Sequence, residues 1–142
     1  MTPQDARKLQ ILADIKYRTR RQRLQKLVQK ESAIRSDLAK LGQQAKEADR
    51  ASDKTMQAIG ADVIWQAWLG KSKTALNMKL ALILAEKEQH LSQVRRAYGK
   101  VLVSGEIADA VSSHQRSASI KSDLDKVISV AVQRTSGSKV SR

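Results

Sequence analysis

Gly60-Ala61-Asp62-Val63-Ile64-Trp65-Gln66-Ala67-Trp68-Leu69-Gly70 is the only segment that holds two glycines and both tryptophans, and it lies between two tracts of heptad spacing. It reads as the turn of a helical hairpin. Gly60 can end a first helix in the left-handed conformation, Asp62 can cap a short helical turn, and Gly70 can release the chain into a second long helix. Tryptophans at this place would cover the open end of the seam.

Upstream, Leu24, Leu27, Glu31, Ile34, Leu38, Leu41, Ala45, Ala48 and Ser52 are spaced 3, 4, 3, 4, 3, 4, 3 and 4, and all but Glu31 and Ser52 are apolar. That is the pattern of a coiled-coil seam. Leu9, Leu12 and Tyr17 extend the stripe towards the start, and Met56, Ile59 and Val63 extend it towards the turn. Thr2-Pro3-Gln4-Asp5 supplies a helix start, with a capping hydroxyl, a proline suited to the first helical position and a carboxylate near the exposed amides. Downstream, Leu76, Leu80, Ile83, Lys87, His90, Val94, Ala97 and Val101 repeat the spacing, with Leu84, Leu91 and Tyr98 broadening the stripe. The phase wanders between Gly99 and Gly105 and resumes weakly as Ile120, Leu124, Val127 and Ala131.

The fold expected is therefore all-α: a long antiparallel two-helix coiled-coil hairpin over residues 1–134. Its first arm spans 3–59, its turn 60–71 and its second arm 72–132, and residues 135–142 form a disordered Ser-rich tail. A turn centred near residue 65 pairs positions whose numbers sum to about 130. Ala45 and Ala48 then face Leu80 to Ala85, Leu38 and Leu41 lie near His90, Leu91 and Val94, and Glu31 lies near Gly99 and Lys100. The alternative is a three-helix bundle, in which Gly99 to Gly105 breaks the helix and residues 107–132 fold back.

Composition points the same way. Aromatics make up only 3% of the chain, with no Phe, too few rings for an ordinary compact core. The single proline is Pro3, so no later residue lacks the amide that helix needs. Absence of cysteine excludes disulfides and thiolate metal sites, and the longest apolar run, Leu80 to Ala85, is far shorter than a membrane span. With no secretory leader pattern at its start, the chain is expected to be soluble and cytoplasmic.

Catalytic chemistry finds no centre. Gly70-Lys71-Ser72 resembles the end of a phosphate loop, but Trp65 stands where the loop needs its first glycine. His90 and His114 are too far apart for a helical metal pair, and Glu86 and Glu88, two residues apart, point in different directions. No cofactor, metal or small-molecule substrate is expected, and the chain reads as a non-enzyme.

Charge is the strongest functional signal. The net charge is +13, and residues 1–30 alone carry nine Lys or Arg against two Asp. The densest part is Lys16-Tyr17-Arg18-Thr19-Arg20-Arg21-Gln22-Arg23, followed by Lys26 and Lys30. Three readings compete: a solvated face that keeps a coiled coil soluble, a phosphate-neutralising nucleic-acid surface, and a docking tip for an acidic protein surface or pore. Binding of residues 9–28 to a membrane surface is a minor fourth, weakened by an apolar face without Trp or Phe. Trp65 and Trp68 are either packing within the turn or an exposed anchor for a partner.

Trp65-Gln66-Ala67-Trp68-Leu69, leading into Leu76-Asn77-Met78-Lys79-Leu80-Ala81 and later Arg95-Arg96-Ala97-Tyr98, resembles the flagellar export protein FliJ and its injectisome counterparts of the YscO type. The likeness extends to length, basic composition and two long helices. It implies a stalk that engages a hexameric export ATPase ring with the end holding both termini, and that touches the export gate. Arg18, Arg20, Arg21 and Arg23 would then steer the tip into the ring, while Leu69, Leu76, Leu80 and Ile83, near the turn with Trp65 and Trp68, would be candidates for gate contact. The alternatives are a basic helical nucleic-acid-associated protein and a generic coiled-coil adaptor.

Overall fold

The computed structural model describes residues 1–51 and 54–138, the side chain of Met56 excepted. Three helices follow in order: α1 (Pro3–Ala51), α2 (Lys54–Ile59) and α3 (Ala61–Ser138). No strand occurs among the described residues. The fold is the expected all-α antiparallel hairpin, with the long helices α1 and α3 as its arms.

Helix α1 starts as its sequence dictates. The Asp5 amide donates to Thr2 Oγ1 at 3.2 Å, and the Thr2 amide donates to Asp5 Oδ2 at 3.3 Å, so two end groups satisfy each other's backbone donors. Pro3 occupies the first helical position, where no amide is needed. Beyond the other end of the first arm, Gly60 adopts φ +76° and stops α2, its amide donating to the Gln57 carbonyl at 3.2 Å.

Helix α3 begins one residue later, so the expected turn over 60–71 shifts upstream to α2 and Gly60, and the first arm, expected over 3–59, ends with α1 at Ala51. Gly70 does not release the chain; it lies inside α3, its carbonyl accepting the Thr74 hydroxyl at 2.9 Å. Nor does the helix break between Gly99 and Gly105, so residues 107–132 continue α3 and the three-helix alternative fails. Residues 135–138, expected in a disordered tail, are also helical, and the rest of that tail, 139–142, lies outside the described residues.

Moving the turn changes the register. In the unit Arg18–Arg96, Arg20 donates to Gln93 Oε1 at 2.7 Å, Lys87 to Glu31 Oε2 at 2.7 Å and Gln66 to Asp49 Oδ1 at 3.4 Å. In the unit formed by Met1–Tyr17 and the chain from Ala97 onward, the rings of Tyr17 and Tyr98 lie 5.5 Å apart. Partner numbers thus sum to about 115 rather than about 130, because the hairpin folds around α2, between the end of α1 at Ala51 and the start of α3 at Ala61. Ala45 and Ala48 fall opposite residues near 67–70 instead of Leu80 to Ala85. Leu38 and Leu41 fall opposite residues near 74–77 instead of His90 to Val94, and Glu31 meets Lys87 instead of Gly99 and Lys100.

The seam itself matches the heptads. From Leu24 to Ala48 every predicted α1 position is buried or half-buried, as is every α3 position of the regular series from Leu76 to Val101; of the residues expected to broaden that stripe, Leu91 is half-buried while Leu84 and Tyr98 are exposed. Ser52 lies outside the described residues. Towards the start of α1 the stripe differs: Ala6, Ala13 and Tyr17 turn inward, whereas Leu9 and Leu12 are exposed. Ile59 and Val63 are likewise exposed, and the Met56 side chain lies outside the description. On α3 the spacing continues without interruption through Ser104, Ala108 and Val111. Ser104 is 3% exposed and donates its hydroxyl to the Val101 carbonyl at 2.8 Å, so a polar residue fills a core position without an orphaned group.

Candidate docking surfaces

With one partner helix each, the arms bury only one stripe, and the rest of each helix is available to other molecules. On α1 the basic run divides by direction. Arg18, Arg21, Arg23, Lys26 and Lys30 are exposed, while Arg20 turns towards the seam and is held by Gln93. Of the four arginines expected to act together, the structure therefore presents three and uses the fourth to tie the arms.

Glu31 is a buried charged position of the α1 seam. It is 9% exposed, accepting from Lys87 at 2.7 Å and from Arg35 at 3.1 Å. The Lys87 hydrogen bond, followed by that of Arg35, holds the Glu31 carboxyl below the usual glutamate range. This cluster fixes register rather than offering a reactive group, because both cations are already engaged by the carboxylate.

Near the turn, Trp65 and Trp68 stack with centroids 5.0 Å apart and planes 23° from parallel. Trp65 is half-buried and Trp68 exposed, so the two expected roles, packing and presentation, are split between them. An open cleft of about 430 Å³ is lined by Ala48, Asp49, Ala51, Ala61, Asp62, Trp65 and Gln66. Asp62 Oδ1 and Trp65 Nε1 are buried there without hydrogen-bond partners, leaving one acceptor and one donor at its edge.

Leu69, Leu76, Leu80 and Ile83 all lie on the inward stripe of α3. A different apolar row faces out: Ile64, Trp68, Met78 and Leu82 are exposed at helical spacing. Their signal was present in the sequence as apolar residues one or two positions off the heptad, and it was hidden because the seam accounts for so many neighbours.

His90 is half-buried on the seam with Nδ1 unpartnered, and His114 is exposed. No group of three or more His, Cys, Asp or Glu able to hold a metal ion occurs among the described residues, and no helix is long and apolar enough to cross a membrane. No protein-family model, curated protein or solved structure matches the chain.

Proposed function

We propose that the chain is a non-catalytic coiled-coil stalk of a type III export apparatus, engaging the export ATPase ring and the export gate at the cytoplasmic face of the membrane. What supports this reading is the two-helix hairpin that displays Arg18, Arg21 and Arg23 on its outer surface beside a seam locked by Glu31 and Lys87. A dense cationic helix is drawn towards an acidic ring before contact, and such steering raises association rates roughly 10- to 1000-fold at low salt. The locked register would let the hairpin transmit load between its partners without the arms sliding past each other. In this reading the gate is met by the exposed row Trp68, Met78 and Leu82 rather than by the seam residues Leu69, Leu76, Leu80 and Ile83.

The experiment is ATP hydrolysis by the cognate purified export ATPase with and without the chain. Stimulation is expected, falling as salt rises and on combined substitution of Arg18, Arg21 and Arg23 by Gln. An unchanged rate at saturating chain would overturn the proposal. The charge of residues 1–30 also supports a second reading, a nucleic-acid-associated protein. That reading requires binding to a random DNA duplex whose affinity falls steeply with salt and is lost in the same triple variant.

A further inference from the structure

In the cleft at the turn an acceptor and a donor stand buried and unmet, and every residue lining that cleft belongs to the unit Arg18–Arg96. Asp62 Oδ1 receives no hydrogen bond although Asp62 stands in the first turn of α3, so it is not spent on capping the amides that begin the helix. Trp65 Nε1–H donates to nothing. Each such buried group loses free energy comparable to a missing hydrogen bond, and a guest that supplies the matching groups recovers it.

Charge selects the guest. Asp49 and Asp62 line the cleft, and no Lys or Arg does. Asp49 stands exposed at the rim, its Oδ1 accepting from Gln66 at 3.4 Å. Residues 31–70 carry five basic and six acidic side chains, whereas residues 1–30 carry nine and two. In a chain of net charge +13, this is therefore a place where a cation is not repelled and a carboxylate is at hand to receive it. The positive end of the α3 dipole opposes this with about half a unit charge, less than either carboxylate supplies.

The remaining features narrow the cation to an arginine within a peptide. Trp65 Nε1–H needs an acceptor beside the cation, which a metal ion or free ammonium lacks and a backbone carbonyl next to an arginine provides. The indoles of Trp65 and Trp68, stacked 5.0 Å apart, offer a broad π surface that suits a planar guanidinium better than a compact ammonium. Val63 and Ile64, between the lining residues Asp62 and Trp65, are 66% and 73% exposed, and Ile59 is 75% exposed. Residues flanking the arginine thus find apolar surface to cover.

We propose that the turn cleft binds an arginine side chain of a protein partner, its guanidinium paired with Asp62 against the Trp65 indole and its adjacent carbonyl accepting from Trp65 Nε1. The cleft of about 430 Å³ falls within the roughly 300 to 1,000 Å³ usual for binding sites and admits one such side chain with its backbone. The hairpin then selects partners of opposite charge at two places, a basic segment at the turn and an acidic surface along Arg18, Arg21 and Arg23.

Trp65 and Trp68 are the only tryptophans, so Trp68→Phe leaves one indole N–H signal in a nitrogen–proton correlation spectrum while keeping a ring in the stack. The isotope-labelled full chain with this substitution is titrated with acetyl-Leu-Arg-Leu-amide and with its citrulline counterpart, which keeps the shape and loses the charge. The arginine peptide is expected to move the Trp65 signal downfield and to saturate in the low millimolar range, as an indole that gains a carbonyl acceptor does. The citrulline peptide, and the arginine peptide on the chain that also carries Asp62→Asn, should bind about five- to tenfold more weakly. Equal binding of the two peptides, unchanged affinity with Asp62→Asn, or no saturating shift up to about 20 mM overturns the proposal. The two peptides are compared on one protein, so that result stands whatever Asp62→Asn does to the fold. Stimulation of the export ATPase is a separate measurement, and neither outcome decides the other.

Discussion

Glu31 shows what a single polar residue does in a seam this thin. Its carboxylate is depressed in the folded state, so its stabilising contribution is complete above the unfolded-state value and is lost as pH falls through the folded one. Below about pH 4 the melting temperature should therefore fall more steeply for the native chain than for Glu31→Gln, compared by circular dichroism. The comparison with Glu31→Gln removes the parallel effect of Asp5, whose carboxyl is lowered by its hydrogen bonds to Thr2. At neutral pH Glu31→Ala should lower the melting temperature by several degrees, because Lys87 is left without its counter-ion, while Glu31→Leu with Lys87→Leu should recover it. Leu27 and Leu41 test the apolar part of the seam. Each is nearly buried, and truncation to Ala should cost about 2 to 3 kcal/mol in urea unfolding, the lower part of the usual range because water reaches the seam from both sides.

At the scale of elements, glycine position decides the topology. Gly60 and Gly70 look equivalent on paper, yet only Gly60 has positive φ, and a side chain added at either meets no atom within 4 Å. Gly60→Ala should destabilise by about 1 to 2 kcal/mol through left-handed strain, whereas Gly70→Ala should stabilise by about 1 kcal/mol as a helix-interior replacement. Thermal denaturation of the two variants measures both signs. The helices and the heptads from Leu24 to Ala48 and from Leu76 to Val101 were legible because large apolar side chains recur there at a fixed interval. The left-handed stop at Gly60 was legible too, as a glycine at the end of the first tract, but the centre of the turn was displaced because the tryptophans drew it towards residue 65 and Gly70 stays helical. Inward positions filled by Ala6, Ala13 and Ser104 were hidden for a related reason: small or hydroxylated residues fit between helices but carry little apolar signal. Among the basic residues, the run was plain, but the inward turn of Arg20 depends on Gln93, which only the register brings near.

For the molecule as a whole, protection against solvent should follow the paired regions rather than helix content. Amide hydrogen exchange at low micromolar concentration is expected to be at least about tenfold faster over residues 112–138 than over Leu24 to Ala48, although both are helical throughout. Uniform protection along α3 would contradict this. The contact between Tyr17 and Tyr98 also bears on synthesis. Translation delivers the first arm well before its complement, so the early tyrosine waits on the order of several seconds for its mate to leave the ribosome. Closure spreads outward from the reversal at α2, and the start of α1 is the last part to be zipped. A nascent chain stalled before residue 98 would hold its first segment open, available to whatever chaperone meets it.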